Sequence, residues 1–194
     1  MKIPLFALLL TLFSQFASAQ YAPGYYIDST GNKVPGLLKY EFGGNIFTNN
    51  KKGACRLVYK PDSASKTTKL SAMEIKGFVI GSDSFTVIHD FRLNAMVYYP
   101  QDFVHVLEIG TINLLQYDAV MATRFGSDDI NYWILEKDKK GHILGNGNWR
   151  KLMEELMADD PDLLEKIKNK DVKYKNIRET IRAYNEYMAG GAGH

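Results

Sequence analysis

The sequence predicts an α+β fold, in which an antiparallel, curled β-sheet comes first and a C-terminal layer of about three helices follows. Three observations carry this reading. Between Tyr25 and Glu136 apolar residues recur at every second position in short runs, the spacing of a half-buried strand. Those runs are separated by clusters of glycine, asparagine and serine that favour turns. From Asn148 to Met188 the apolar spacing changes to three and four, which places side chains on one stripe of a helix.

The strands are justified in order. Tyr25 to Asp28 and Lys33 to Phe42 flank Thr30-Gly31-Asn32, whose glycine supplies the positive φ of a tight connection. Within the second run Val34, Leu38, Tyr40 and Phe42 lie at even spacing opposite Lys39 and Glu41, so one side is wet. After a polar loop from Gly43 to Gly53, Arg56 to Lys60 resumes the strand pattern, and Pro61 to Thr68 reads as a loop. Ser71 and Glu74 have capping-box spacing, which suggests one helical turn. Lys76 to Ile80 and Phe85 to Phe91 form a hairpin through Gly81-Ser82-Asp83. Phe103 to Ile109 and Ile112 to Tyr117 meet at Gly110-Thr111, where a glycine in first place suits a type II′ turn. Phe103, Val104, Val106, Leu107 and Ile109 make both faces of that strand apolar, which places it centrally. The polar stretch around Gly126-Ser127-Asp128-Asp129 reads as a connection, and Asn131 to Glu136 as a further strand.

The helices follow from period and punctuation. Trp149, Leu152, Met153, Leu156 and Met157 make the first stripe. Asp160-Pro161 is an N-cap followed by a first-turn proline, opening a second helix with Leu163, Leu164 and Ile167. Ile177, Ile181, Tyr184 and Met188 line a third, with Asn176 and Glu179 at cap spacing and Gly190-Gly191 at its end.

Ahead of the first strand stand Lys2, an apolar run from Ile3 to Phe13, and the small residues Ala17-Ser18-Ala19. This is the pattern of a secretory signal peptide over residues 1–19, with Gln20 as the mature start and a periplasmic or extracellular destination. The apolar run is shorter than the roughly 20 residues needed to span a bilayer, so no membrane span is expected. Of the 194 residues 175 remain, one domain's worth, assigned to residues 20–189 with a flexible tail at 190–194. Cleavage leaves 23 basic against 22 acidic residues, a balance unlike that of a general nucleic-acid or anionic-membrane binder. The single cysteine, Cys55, alternates with Leu57 and Tyr59, which makes it a buried, inert thiol.

The residues capable of chemistry are scattered. His89, His105, His142 and His194 form no cluster, and His105 and Glu108 fall on opposite faces of a strand, so no metal site is expected. His89 and His105 each share a strand face with apolar residues, where one backbone partner suffices to satisfy an imidazole. Gly81-Ser82-Asp83-Ser84 lacks the closing glycine of a nucleophile elbow, and Gly145-Asn146-Gly147-Asn148 lacks the lysine of a phosphate loop. Asp159, Asp160 and Asp162 sit where a helix N-terminus favours acids, and Asp128-Asp129 lacks calcium-loop spacing. Seven basic residues between Lys166 and Arg182 are interrupted by Asp171 and Glu179, as on a solvated helix face. The sequence therefore assigns no catalytic, cofactor-binding or metal-binding residue, and no cofactor.

Four short features carry a resemblance: Gly24-Tyr25-Tyr26-Ile27 with Gly31 and Gly36, Ile75-Lys76-Gly77-Phe78, the hairpin from Phe103 to Leu114 around Gly110, and Ala183-Tyr184-Asn185. In these the chain resembles a broad group of uncharacterised exported proteins common in Bacteroidota. The resemblance implies an envelope location and a β-then-α layout, and supplies no catalytic residue. The resulting expectation is a non-enzymatic binding or interaction module whose partner is an envelope protein or a glycan, not nucleic acid. The alternative is a hydrolase acting on envelope or glycan material, built on His89 or His105 with Asp90, Asp102 or Glu108.

Overall fold

The computed structural model describes residues 21–42, 55–93, 97–123, 126–145 and 147–190. The expected signal peptide, the loop over 43–53 and the tail beyond Gly190 lie outside the described residues.

Among the described residues ten strands precede three helices, as the α+β reading requires. The strands are β1 (Ala22–Asp28), β2 (Lys33–Glu41), β3 (Arg56–Lys60), β4 (Thr68–Leu70), β5 (Ile75–Ile80), β6 (Asp83–Arg92), β7 (Tyr98–Glu108), β8 (Asn113–Thr123), β9 (Gly126–Lys137) and β10 (Lys140–Leu144). They form one sheet in the order β10-β9-β8-β7-β6-β5-β1-β2-β3-β4, antiparallel throughout. β1 is thus the seam between two meanders, paired with β2 on one side and β5 on the other. Both edges are short and carry lysines, Lys69 on β4 and Lys140 on β10, a composition that discourages pairing with another chain.

The sheet bends. β3 lies five inter-strand steps from β7, so a flat sheet would hold them about 24 Å apart. Yet the N–H of Cys55, the residue just before β3, donates to Asp102 Oδ1 on β7 at 3.1 Å. The bend encloses one apolar core, where Leu38, Leu57, Phe78, Phe103, Tyr117 and Ile134 are fully buried with Cys55.

A second core lies on the other side of β8 and β9. Leu114 and Leu135 point there, while their neighbours Leu115 and Ile134 point into the first, the period-two alternation that lets one strand serve both. It is closed by α1 (Trp149–Leu156), α2 (Pro161–Lys168) and α3 (Ile177–Gly190), the last preceded by a 3₁₀ turn at Tyr174–Asn176. Trp149, Met153 and Met157 of the first stripe, Ile167 of α2, and Ile177, Ile181 and Tyr184 of α3 are buried in it. Burial of each such side chain contributes about 1.5–3 kcal/mol relative to exposure. Asp160 caps α2 as the sequence requires, its Oδ1 accepting from the Leu163 N–H at 3.0 Å with Pro161 in the first turn. Among the described residues no helix is long and apolar enough to cross a membrane.

Four local expectations are corrected. Ser71 and Glu74 make their reciprocal contact, the Ser71 N–H and hydroxyl donating to Glu74 Oε2 at 2.8 and 2.6 Å, but the chain turns there without forming a helix. The residues Gly126 to Asp129, read as a connection, begin β9 and pair with β8 through Thr123↔Gly126. The β7–β8 connection is not a two-residue II′ turn, since Glu108 and Asn113 bound four residues and Gly110 has no positive φ. Gly110 is required by contact instead, because a Cβ there would run into the side chain of Asn185 on α3. Gly190, assigned to the tail, is the last residue of α3.

Candidate functional site

The described bridges between β7 and β8 stop at His105↔Gln116, while β8 continues to Thr123 paired only with β9. Asp102 lies on β7 beyond that point. Its carboxylate is fully buried and takes up polar groups that a ladder would otherwise satisfy: Oδ1 accepts from the Phe103 N–H at 2.9 Å and the Cys55 N–H at 3.1 Å, and Oδ2 from the Tyr117 hydroxyl at 2.9 Å. Burial pushes the Tyr117 phenol far above its usual range, with the Asp102 charge adding to it. The same two causes in the same order raise the Cys55 thiol, which is fully buried, with its Sγ 4.0 Å from the Asp118 carbonyl oxygen. Such surroundings disfavour the thiolate, and the burial of Cys55 is as its alternation with Leu57 requires.

His105 stacks on Phe85 with ring centroids 4.9 Å apart, and its Nε2 lies 3.6 Å from Asp83 Oδ1. Burial holds the Asp118 carboxyl above its ordinary value, against the hydrogen bond it accepts from Gln116 Nε2 at 2.8 Å. Asp90 has a left-handed backbone, φ 50°, and accepts from the Tyr98 hydroxyl at 2.7 Å. Glu108 is bound on the other side of the molecule, by Arg178 Nε at 2.6 Å and by Arg182. His89 and His105 stand opposite Gln101 and Phe85 in the β6–β7 ladder, four positions and so about 13 Å apart along it. The structure thus does not bring the two histidines together with Asp90, Asp102 and Glu108. Among the described residues no group of three or more His, Cys, Asp or Glu side chains could hold a metal ion.

His89 is instead part of an open groove of about 400 Å³ over β5, β6 and β7. Ala72, Met73, Ile75 and Val87 give it an apolar lining, and Met73 is 60% exposed. Ser29, Thr86, His89 and Gln101 add hydrogen-bonding groups, and Glu74 and Lys76 the charges. Sequence reading singled out only His89 and Glu74 among these for their chemistry. The rest come from four separate stretches of chain, and only the β1–β5–β6–β7 pairings join them, so no local spacing could have revealed them. A second, shallower groove of about 550 Å³ beside α3 sets Lys166, Lys173 and Lys175 against Asp171 and Glu179, the mixed charge of a solvated face.

The Glu108 cluster fixes α3 to the sheet and gives the fold an acid limit. The Arg182 hydrogen bond, with Arg178 beside it, holds the Glu108 carboxyl below its usual value against the opposing effect of burial. Burial raises Asp159 likewise, but hydrogen bonds from Tyr184 at 2.7 Å and Lys137 at 3.2 Å bring it below. Depressed carboxylates contribute stability above their unfolded values and lose it as pH falls through the folded ones. Asp118, raised, works in the opposite direction. The melting temperature is therefore expected to fall as pH drops from about 5 to about 3, and Glu108→Gln to flatten that fall while lowering stability at neutral pH. Equal slopes in the two proteins would exclude Glu108 as a source.

No family model matches the chain, and no curated protein or solved structure is significantly similar to it.

Proposed function

We propose that this chain is an exported, non-enzymatic binding module of the cell envelope that holds an envelope component in the groove over β5–β7. The observation that carries the reading is the composition of that groove: apolar and hydrogen-bonding side chains line one concavity without a nucleophile beside a base. The reactive groups elsewhere are engaged, Asp102 by two N–H groups and a hydroxyl, Glu108 by two arginines. Export is supported by the leader pattern over residues 1–19 and by the resemblance to exported Bacteroidota proteins.

The test is a fragment screen by amide NMR combined with a hydrolase substrate panel. Binding fragments are expected to shift Met73 to Lys76, Thr86 to His89 and Gln101, and Met73→Asp, at an exposed position, to remove binding without lowering the melting temperature. Turnover abolished by His89→Ala or His105→Ala at unchanged stability would replace this reading with the hydrolase. Fragments that bind only outside the groove would overturn it as well.

A further inference from the structure

The acid and the base that line the groove differ in how they are engaged. Its one lining acid, Glu74, is turned back on its own turn, where Oε2 accepts from both the Ser71 N–H and the Ser71 hydroxyl. Asp28, across the β1–β5 pairing, directs its carboxylate to the turn that follows β1, accepting from the Thr30 N–H and hydroxyl and from the Asn32 N–H. The cationic and donor groups are not so engaged. Among the described residues Lys76 has no ion-pair partner and His89 no hydrogen-bond partner, and both are exposed to the groove. An ammonium and an imidazole beside Met73 and Val87 set uncommitted polar groups next to an apolar surface.

We infer that the ligand of this groove is a small amphiphile bearing a carboxylate, its anionic group set between Lys76 and His89 and its apolar portion laid on Met73 and Val87. The inference rests on the proposed binding function and specifies its ligand class. Lysine acts here as a point charge on a flexible stem, suited to an anionic head without a fixed bidentate geometry. Methionine, unbranched and polarisable, adapts to apolar bodies of different shape. The open form of the groove fits a ligand that is laid down along it, not one that is enclosed.

The experiment titrates the isotope-labelled chain with three probes of equal chain length, octanoate, octanol and octylamine, and follows the amides of Lys76, Thr86, Val87, His89 and Gln101. Octanoate is expected to bind at least tenfold more tightly than either other probe. Lys76→Gln should cut that preference severalfold, and Lys76→Glu should transfer it to octylamine. Because Lys76 is exposed, both variants should keep the wild-type melting temperature, which is measured alongside. Octanol or octylamine binding in the groove as tightly as octanoate would overturn the carboxylate preference and leave the binding function standing. No shift of groove amides by any of the three would overturn both.

Discussion

Asp102→Ala is expected to destabilise the fold by about 3–5 kcal/mol, more than any other single polar substitution in the sheet. The carboxylate is fully buried and accepts from two backbone N–H groups and one phenol, so its removal strands three donors where water does not reach. Each costs about 1–3 kcal/mol when left unsatisfied. The relief of an expensive buried charge offsets part of this, which is why the total stays below the simple sum. Asp102→Asn keeps one acceptor oxygen for the two N–H groups and lets the Tyr117 hydroxyl turn to accept from the new amide, so its cost should be about 1 kcal/mol. Because the Cys55 bond ties the start of β3 to β7, the alanine variant should also loosen the bend and let a thiol reagent reach Cys55 in the folded protein. Urea denaturation gives the stabilities, and a double cycle with Tyr117→Phe should show coupling of at least about 0.5 kcal/mol. A loss below 1 kcal/mol in Asp102→Ala with Cys55 still shielded would mean that apolar packing alone sets the bend.

That network also marks where the sequence stops being informative. Period and punctuation are local properties, and they locate what local physics decides: the β2 alternation, the glycine turn before β6, the Asp160-Pro161 cap and the three helical stripes. Burial of Cys55 was legible for the same reason, since it alternates with Leu57. Proline concealed the first part of β7, which begins at Tyr98 although Pro100 lacks an N–H. The strand tolerates it because the β6–β7 ladder skips that position, opposite the left-handed Asp90. β4 and β10, of three and five residues, bury too little to stand out from loops. The arm formed by Gly126 to Asp129 satisfies its backbone by pairing with β8 and carries polar side chains, so no apolar period marks it. Asp102 meets Cys55 across 47 positions, and the groove joins residues from Ser29 to Gln101, separations over which spacing is silent. The motifs behind the resemblance prove to be joints. Gly110 and Asn185 meet, with the Asn185 amide bonded to both the N–H and the carbonyl of Ile112 at 2.9 and 2.8 Å.

Gly24 and Gly36 form the other such joint, and Gly24→Ala should be the most damaging small substitution in the first meander. The two glycines are cross-strand partners in the β1–β2 pair. A Cβ on Gly24 would press into the backbone carbonyl of Val79 on β5, and one on Gly36 into the Tyr59 ring and the Lys60 carbonyl on β3. Neither glycine has a positive φ, so close approach, not backbone conformation, excludes a side chain. A ring can rotate away but a ladder carbonyl cannot move without its strand. At Gly24 the only relief is to part β1 from β5, and this is the single pairing that joins the two meanders. The expected loss is about 3 kcal/mol for Gly24→Ala, at the upper end of overpacking costs, and less for Gly36→Ala, where the Lys60 carbonyl is also met but parting β2 from β3 leaves the two meanders joined. Gly147→Ala, where a methyl meets nothing within 4 Å, should stay within about 0.5 kcal/mol and serves as the control. Amide exchange should separate the two mechanisms. Gly24→Ala should accelerate exchange across both the β1–β5 and β1–β2 ladders, whereas Gly36→Ala should affect only β2 and β3. If Gly24→Ala matched the control in urea midpoint and exchange, β1 would not be wedged between β2 and β5 as tightly as the Val79 contact requires.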